Sequence, residues 1–324
     1  MKKSLNLNIR IIALAAAISV LISLPLVSCG SDNSQTDTDT GTVVFTDALG
    51  REVTAAKNPD RVAALIGSFA DIWMLSGGEL CAAAEDAWSD FGLELGDAVN
   101  IGGAHSPSVE LLLSAAPDLV IASSSTASNV NMKDTLIAAG ITVAYFDIDN
   151  FEDYLQMLDI CTDITGRKDL YEQNGLAVQT QIESIKSDYN DSEYDRSEHT
   201  ILLLRVSASS IKAKGSNGTI LGEMLADMGC INIADSDTSL LENLSIESII
   251  RQDPHHIFAV GMGCDNETAK TLLDGMISEN PAWGTLEAVK EGRIHVMDKK
   301  LFNLKPNARW AESYQKLYET LTQE

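Results

Sequence analysis

The feature that most constrains the fold is a regular alternation between continuous apolar segments of strand length and segments with helical periodicity. The strand-like segments of the first block are 62–66, 119–122 and 141–145, and the helical ones are 69–75, 130–139 and 151–164. Strands that are apolar throughout are buried on both faces, and helices between them cover a parallel sheet. The alternation therefore predicts an α/β fold with parallel sheets. Before it, segments 43–45 and 52–54 flank a short connection that contains Gly50, which predicts a β-hairpin.

A long helix is predicted between this block and a second one. Residues 168–189 contain no proline, and Val178, Ile182, Ile185 and Tyr189 fall at helical spacing, with a tolerable Gly175 before them. At 1.5 Å per residue this helix is roughly 33 Å long, and residues 190–192 end it. The α/β pattern then restarts at 200–206 and continues through 220–228, 246–251, 256–260, 271–277 and 293–297 to a final helix from about residue 308.

The two blocks also resemble each other in sequence. Residues 109–122 align without a gap on residues 246–259, and each copy contains a helix, a turn marked by proline and a buried strand. The identical pairs are Glu110 and Glu247, Pro117 and Pro254, and Ala122 and Ala259. Generic α/β similarity is the alternative explanation. The matched order of elements favours two similar parallel-sheet lobes, 43–167 and 191–324, joined by a single helix at 168–190.

The first residues indicate an export signal. Lys2, Lys3 and Arg10 precede an apolar run, 11–27, which Pro25 interrupts, and a small residue and Cys29 follow the run. This arrangement resembles the lipobox of bacterial lipoproteins, which implies a signal peptide at 1–28 and a lipid on Cys29. The alternative is an uncleaved membrane helix, which Pro25 and the short apolar span disfavour. Residues 29–42, rich in Ser, Thr and Asp, are expected to be a flexible acidic tether.

Charge and cysteine usage exclude several classes of partner. The chain has 23 Lys and Arg against 47 Asp and Glu, a formal net charge of −24, which repels nucleic acid and anionic lipid surfaces. Five cysteines without a C-x-x-C motif indicate neither a disulfide scaffold nor a zinc module. Four of them are interpreted as buried or free thiols, namely Cys81, Cys161, Cys230 and Cys264.

Two lobes of this kind form a ligand cleft, because ligands of open parallel sheets bind beyond the carboxyl ends of the strands. Candidate side chains follow predicted strands in both lobes. They are Ser68, Phe69, Trp88, His105, Ser124, Arg205, Lys212, Phe302, Lys305 and Arg309. The aromatic rings can stack on a planar or catecholate ligand, and the cations can neutralise an anionic one. Core packing is the alternative for each aromatic residue, and a place on the helix surface is the alternative for Arg309.

The histidines give little indication of a metal site. His105 is a candidate axial ligand of iron or cobalt, but a lone histidine is more often structural or exposed to solvent. His255 and His256 stand at a strand start, away from the cleft. The five histidines and the lack of a spaced set of two histidines and a carboxylate disfavour a carrier of bare zinc or manganese, and His105 is the one candidate for direct ligation of a metal.

Several segments in their order resemble one known family. They are NPDRVAAL at 58–65, VELLLSAAPDLVIA at 109–122, NPAWGTLEAVKEGRIHVM at 280–297 and LFNLKPNARWAESYQKL at 301–317. Together with the hairpin, the long helix and the lipobox, they are similar to solute-binding proteins of ABC importers for iron complexes and cobalamin. The resemblance covers roughly residues 43–322. It implies the class III fold, in which a helix connects the lobes.

The resemblance also implies a function. The protein would be an extracytoplasmic, lipid-anchored monomer without catalytic activity or cofactor, which delivers a metal chelate to an ABC permease and its ATPase. A ferric siderophore is the first choice of ligand, haem the second, and a corrinoid is the alternative. Glu110 and Glu247 are similar to the two glutamates with which the family docks on the permease. First-turn carboxylates that stabilise their helices are the other interpretation.

Two other classes of function were weighed. Residues 209–212 fit S-x-x-K, a motif of serine acyl transferases, but that chemistry needs the serine at the start of a buried helix, and here a strand precedes it. The sequence contains no G-x-S-x-G and no Walker A motif. A scaffold lipoprotein without a transport role is the third possibility, which the absence of any ligand would indicate.

Overall fold

The computed structural model describes residues 41–192 and 199–322. The predicted signal peptide, Cys29 and nearly all of the predicted tether lie outside the described residues. Within the described part of the chain, no helix is both long and apolar enough to cross a membrane.

The predicted hairpin is present at the start of the described chain. Strand β1 (Thr42–Thr46) pairs with β2 (Glu52–Ala56) in antiparallel fashion. The turn is closed by Asp47, whose Oδ1 accepts hydrogen bonds from the backbone N–H groups of Leu49 and Arg51, and whose Oδ2 pairs with the Arg51 guanidinium. Because β1 begins at Thr42, the last residue of the predicted tether belongs to the hairpin.

The N-terminal lobe contains a parallel sheet of five strands. In chain order they are β3 (Val62–Ala64), β4 (Ala82–Ala83), β5 (Val99–Asn100), β6 (Leu119–Ser123) and β7 (Thr142–Phe146). Their spatial order is β5-β4-β3-β6-β7. Every residue of β3 and β6 is buried, as expected for central strands covered on both faces.

Helices connect these strands and cover the sheet. They are α1 (Gly67–Leu75), α2 (Asp86–Ser89), α3 (Val109–Ser114), α4 (Ala127–Asn131), α5 (Lys133–Ala138) and α6 (Phe151–Thr165). The single helix predicted at 130–139 is thus two short helices that meet at Met132. Helix α6 begins with a capping box, in which the side chains of Asn150 and Asp153 each accept a hydrogen bond from the backbone N–H of the other residue. The helix ends at Gly166, which has a left-handed backbone conformation.

Residues 168–191 are helical throughout and lead from the first sheet to the second. The segment consists of α7 (Lys168–Tyr171), a π-helical turn at Glu172–Leu176 and α8 (Ala177–Asp191). The sequence analysis did not predict the π turn. Gly175 lies in it, and a Cβ at this position would come within 3.0 Å of Leu155 Cδ2, so the glycine allows close packing on α6.

The C-terminal lobe contains the second sheet. Its strands are β8 (Thr200–Ser207), β9 (Ser210–Lys214), β10 (Ile231–Asn232), β11 (His256–Gly261) and β12 (Ile294–Met297). Four strands are parallel in the order β10-β8-β11-β12, and β9 folds back antiparallel on β8. Strand β9 was not predicted from the sequence, and it adds residues 210–214 to the sheet.

The helices of this lobe follow the same arrangement. They are α9 (Ile220–Asp227), α10 (Ile233–Ser236), α11 (Ser239–Glu242), α12 (Ile246–Gln252), α13 (Asn266–Glu279), α14 (Glu287–Lys290), α15 (Lys299–Phe302) and α16 (Trp310–Thr322). Short 3-10 turns occupy Pro281–Thr285 and Asn307–Arg309. One apolar core includes Phe151 of α6, Ile182 of α8, Leu203 of β8 and Trp310 of α16, so it runs through both lobes and the connecting helix.

The internal repeat has a matching backbone in the two lobes. Helices α3 and α12 begin after Ser108 and Ser245, and each serine Oγ accepts a backbone N–H hydrogen bond three residues ahead at 3.3 Å. The aligned residues Ala116 and Asp253 both have left-handed backbone conformations, with φ of 45° and 42°. Strands β6 and β11 follow. Equal caps and equal turns at aligned positions support the interpretation of two similar lobes.

Candidate ligand-binding cleft

A cavity of about 180 Å³ lies between the lobes, at the carboxyl ends of the strands. The N-terminal lobe contributes the segments that follow β3, β4, β5 and β6, and the C-terminal lobe contributes residues 303–305. Its lining is Ile66, Ser68, Phe69, Asp86, Phe91, Ala104, His105, Ser123, Ser125, Thr126, Asn303, Leu304 and Lys305. Small-molecule sites usually enclose about 300–1,000 Å³, so this cavity alone accommodates only part of a chelate.

A second cavity, of about 550 Å³, belongs to the C-terminal lobe. It is bounded by Arg205 of β8, Lys214 of β9 and the loop 215–219, which leads into α9. Burial lowers the pKa of Lys305, which lines the first cavity, and Arg205 of the second cavity adds to that shift.

Serine hydroxyls face the cleft from the N-terminal lobe. The buried Ser68 Oγ has no hydrogen-bond partner within the described residues. Ser123 and Ser125 are 2.9 Å apart between their Oγ atoms, and the Ser123 backbone N–H donates to Asn129 Oδ1 at 3.0 Å. These hydroxyls can donate hydrogen bonds to an oxygen-rich ligand.

The start of α1 is held against α2 by a carboxylate. The backbone N–H of Gly67 donates to Asp86 Oδ2 at 2.9 Å, and burial raises the pKa of Asp86. A Cβ on Gly67 would lie 2.6 Å from the backbone nitrogen of Ala87, so only glycine allows this approach. The contact fixes Ser68 at the cavity wall.

Two cations stand directly opposite each other on the β8–β9 hairpin. Arg205 and Lys212 are register partners, and Lys214 lies two residues farther along the same face. Like charges in opposite positions destabilise a sheet by a few tenths of a kcal/mol to about 1 kcal/mol. The Arg205 Nε is buried without a hydrogen-bond partner, and burial lowers the pKa of Arg205. Leaving a buried donor unpaired costs about 1–3 kcal/mol, so this arrangement does not favour the stability of the lobe.

Lys305 continues this cationic surface toward the N-terminal lobe. Burial lowers the pKa of Lys305, and the nearby carboxylates of Asp149 and Asp147 oppose the shift. Burial also raises the pKa of Asp149, to which Asp147 contributes. Within residues 41–192 and 199–322, no carboxylate lies within ion-pair distance of Arg205, Lys212, Lys214 or Lys305.

The structure places the predicted aromatic residues differently from the expectation. Phe302 is 1% exposed and belongs to the core, so the prediction that its ring contacts ligand is wrong. Phe69 lines the interlobe cavity but is equally buried, with its ring edge-on to Phe146 at 6.4 Å. Trp88 packs on a small alanine-rich cluster behind α2. The rings that follow the strands thus fold back into the lobes.

The remaining predicted residues divide between the cleft and the surface. His105 is exposed and lines the interlobe cavity, and Ser124 lies at its edge, where its Oγ donates to the Phe146 carbonyl at 3.4 Å. Arg309 instead forms two hydrogen bonds with Glu312 on the solvent side of α16, at 2.7 and 2.9 Å. Because its guanidinium is already paired, the structure gives Arg309 no role at the cleft.

Metal ligands are not assembled in the described part of the protein. No group of three or more His, Cys, Asp and Glu side chains there could hold a metal ion. His255 and His256 lie at the amino end of β11, away from the cleft, as the sequence predicts. The four cysteines interpreted as thiols are free, and two of them, Cys161 and Cys230, are buried.

Glu110 and Glu247 occupy equivalent positions in the first turns of α3 and α12. Both side chains are exposed, and neither forms an ion pair with another described residue. Ser108 and Ser245 already cap the two helices. The carboxylates are therefore free to contact another molecule.

Lys214 is the cationic residue that the sequence analysis did not assign to the cleft. Lys214 lies two residues after Lys212, and residues at this spacing share one face of a strand. The sequence could therefore have indicated Lys214 only if β9 had been recognised as a strand. The same strand removes the acyl transferase interpretation, because Ser209, the serine of S-x-x-K, lies in the turn between β8 and β9, and Lys212 lies in β9, so neither is at a helix start.

Comparison with known proteins gives the family of this fold. The family model described as periplasmic binding protein matches residues 62–301. The chain is 26% identical to the Fe(3+)-citrate-binding protein YfmC of Bacillus subtilis (strain 168) over 258 residues, which are 76% of each chain. It is 24% identical to the iron-uptake system-binding protein of the same organism over 196 residues, which are 60% of this chain and 59% of that protein.

Solved structures share the fold. Staphylococcus aureus SirA, solved in complex with staphyloferrin B, matches with a TM-score of 0.68 and 21% identity over 87% of this chain and 99% of that one. S. aureus IsdE, solved with heme, matches with a TM-score of 0.65 and 15% identity over 81% of this chain and 99% of that one. These likenesses confirm the predicted α/β class, and the family model confirms the prediction of a binding protein without enzymatic activity. The chain belongs to the periplasmic binding protein family.

Proposed function

We propose that this protein is the extracytoplasmic binding component of an ABC importer and captures a ferric chelate between its lobes, with a ferric siderophore as the first choice. The observation that carries the proposal is the set of cations that line the two cavities, Lys305 in the first and Arg205 and Lys214 in the second. In a chain of net charge −24, no carboxylate of the described residues lies within ion-pair distance of these three side chains. The names of the two curated relatives, both of which refer to iron, support iron as the cargo.

Haem is the second candidate, and His105 is the residue that favours it. This histidine is exposed and lines the interlobe cavity, where its imidazole could reach an iron atom from the side of the N-terminal lobe. The buried positions of Phe69 and Phe302 and the packing of the half-buried Trp88 on an alanine-rich cluster favour the siderophore, because a flat macrocycle binds best against exposed rings or apolar surface.

The remaining steps of the transport cycle fit the same proposal. A lipid on Cys29 holds the protein at the outer face of the membrane, and the tether to residue 42 lets the lobes reach the permease. Glu110 and Glu247 then contact basic residues of two permease subunits, because equivalent carboxylates on similar lobes suit a two-fold receptor. The protein acts as a monomer, since one copy presents both glutamates.

A binding panel combined with an uptake assay tests this proposal. The purified protein is titrated with ferric citrate, a ferric catecholate, haem and cobalamin, and tryptophan emission and heat are recorded. We expect at least one ferric chelate to bind with a Kd below about 10 µM. Deletion of the gene in the host should abolish uptake of that chelate labelled with radioactive iron, and the intact gene should restore it.

Two results would contradict the proposal. The first is no binding of any chelate in the panel, which favours the scaffold interpretation. The second is normal iron uptake after gene deletion despite binding, which would separate binding from import. Tight binding of haem together with lost binding in His105→Ala would support the second candidate instead.

A further inference from the structure

The cationic residues of the C-terminal lobe form one continuous surface, which we call the cation cluster: Arg205, Lys212, Lys214 and Lys305. The β8–β9 register sets Arg205 opposite Lys212, and Lys214 follows on the same face. Burial lowers the pKa of Lys214, and Arg205 and Lys212 add to that shift; burial also lowers the pKa of Lys305, to which Arg205 contributes, so Arg205 repels the lysines around it. Such a cluster is stabilised only when negative charge binds to it.

Burial of two of the cations strengthens the need of the cation cluster for a bound anion. Arg205 and Lys305 are half-buried, and the Arg205 Nε has no access to solvent and no partner. Three other cations of the chain are paired with carboxylates: Lys299 with Asp90, Arg309 with Glu312, and Lys186 with Asp227. A guanidinium presents its N–H groups as a planar fork, which matches the two oxygens of a carboxylate.

The surroundings of Arg205 and Lys214 in the C-terminal lobe contain several polar groups. Among the described residues, the cavity beside Arg205 and Lys214 has no aromatic residue in its lining. Besides the two cations, the lining consists of Ala213, Gly215, Asn217, Gly218, Thr219, Ala234, Asp235, Thr238 and Leu241. Asp235 lies there, but its Oδ1 already accepts the Ser216 backbone N–H at 2.8 Å. Across the cleft, the N-terminal lobe offers serine hydroxyls. This lining suits oxyanions with hydroxyl groups better than flat aromatic ligands.

We infer that the ligand is a polyanionic ferric chelate of the hydroxycarboxylate class, and that the cation cluster binds its carboxylates while the N-terminal serines contact its remaining oxygens. The inference rests on the proposed function and specifies its substrate class. It assigns Arg205 the bidentate contact and Lys305 the contact that reaches across to the N-terminal lobe.

Three ferric probes of different chemistry test the inference. Ferric citrate carries free carboxylate and no ring, a ferric trihydroxamate carries neither negative charge nor ring, and a ferric catecholate carries negative charge on aromatic rings. We expect ferric citrate to bind at least tenfold more tightly than both others. Its affinity should also fall about tenfold between 50 and 500 mM NaCl, because salt screens the charges.

Matched variants locate the contact. Arg205→Gln and Lys305→Gln should each weaken ferric citrate binding at least tenfold, and Arg205→Lys should recover only part of the loss. Lys316→Gln, which removes an exposed cation of α16 in the same lobe, should bind like the unaltered protein. The melting temperature of unliganded Arg205→Gln should stay the same or rise, since the variant removes repulsion, so weaker binding would not reflect unfolding.

Each contrary result has its own meaning. If the trihydroxamate binds as tightly as ferric citrate and the Gln variants bind normally, the inference is overturned while the proposed function stands. If the catecholate binds more tightly than ferric citrate, the hydroxycarboxylate class is wrong. If none of the ferric probes binds, the proposed function fails together with the inference.

Discussion

Lys299 of α15 reaches across the cleft to Asp90, which follows α2 in the N-terminal lobe, with 2.9 Å between Nζ and Oδ1. The two side chains keep 27% and 29% of their exposure, so solvent screens the pair only in part. Exposed ion pairs contribute about 0.2–1 kcal/mol, and this pair should lie near the upper end. Because it joins the lobes directly, it opposes their separation.

A double-mutant cycle on Lys299→Met and Asp90→Asn tests this contact. We expect a coupling free energy of about 0.5–1 kcal/mol from urea unfolding, and faster dissociation of the bound chelate in each single variant. The exposed pair of Lys270 and Asp274 within α13 serves as control, since its loss should leave dissociation unchanged. Unchanged dissociation in all Lys299 and Asp90 variants would show that the pair does not restrain the cleft.

Asn307 holds the C-terminal segment against α1 and should be intolerant of substitution. Its side-chain amide is buried and donates to the Ser68 carbonyl at 2.9 Å and to Asp71 Oδ2 at 2.8 Å, while its backbone has φ of 54°. Asn307→Ala removes both hydrogen bonds and keeps the unfavourable backbone, so we expect a loss of about 2–4 kcal/mol. Asn307→Gly relieves the backbone and should lose less.

Thermal unfolding of the unaltered protein, Asn307→Gly and Asn307→Ala measures the order of their stabilities. We expect the unaltered protein to be the most stable, the glycine variant intermediate and the alanine variant the least stable. Equal stability of the alanine and glycine variants would mean that the left-handed backbone at residue 307 carries no cost. Since Asn307 also fixes the backbone of Ser68, both variants should bind the chelate more weakly.

A histidine cluster at the amino end of the second sheet should make the protein sensitive to acid. His256 Nδ1 lies 3.0 Å from His295 Nε2. Burial lowers the pKa of His256 to about 3 and that of His295 to about 4, and the cationic neighbours, which include His255, His199 and Arg293, add to the shift of His256. The folded state thus favours the neutral rings.

The sign of the pH effect follows from these lowered values. Unfolded histidines bind protons below about pH 6.5, and the folded pair does not, so stability falls as the pH drops from 6.5 toward 4. The slope for each histidine approaches about 1.4 kcal/mol per pH unit. His295→Gln should have a shallower slope in urea unfolding between pH 4 and 6.5, and His105→Gln, at an exposed position, should not. Equal slopes in all three proteins would contradict this assignment.

Local patterns predicted the fold well and the cleft only in part. The alternation of apolar strands and helices predicted the parallel sheets, and the repeat predicted equivalent turns that the structure has at Ala116 and Asp253. Strand β9 was missed because its sequence, SIKAK, has few apolar residues on an edge, and its pairing with β8 depends on contacts within the lobe.

Side-chain direction after a strand was the other source of error. An aromatic residue that follows a strand can face the cleft or pack into the lobe, and the local sequence does not distinguish these two directions of the side chain. Phe302 folds back because α15 and α16 enclose it. For Arg309, the glutamate three residues ahead on the same helix was a usable signal of an ion pair.

Replacement of Cys29 tests the predicted anchor. In a host strain fed an alkyne-labelled fatty acid, the unaltered protein should incorporate the label, and Cys29→Ala should not, because the thiol that accepts the lipid is missing. Cys81→Ala, at a half-buried cysteine of the folded part, is the control and should remain labelled. Labelling of Cys29→Ala at the normal level would remove the lipoprotein assignment.

Substitution of Glu110 and Glu247 separates docking from helix stability. Both carboxylates are exposed, and their helices are already capped by Ser108 and Ser245, so each contributes at most about 0.3–1 kcal/mol through the helix dipole. Glu110→Ala and Glu247→Ala should therefore barely change the melting temperature or the affinity for chelate. Each should still reduce iron uptake, since one electrostatic contact with the permease is lost.

Charge reversal gives the stronger form of this test. Glu110→Lys combined with Glu247→Lys should nearly abolish uptake at equal surface abundance, because both contacts become repulsive. Glu267→Lys is the matched control, since Glu267 is also an exposed first-turn carboxylate, in α13, and has no equivalent in the repeat. Normal uptake by the doubly reversed protein, or an equal loss in Glu267→Lys, would mean that the permease recognises another surface and that the two glutamates serve only their helices.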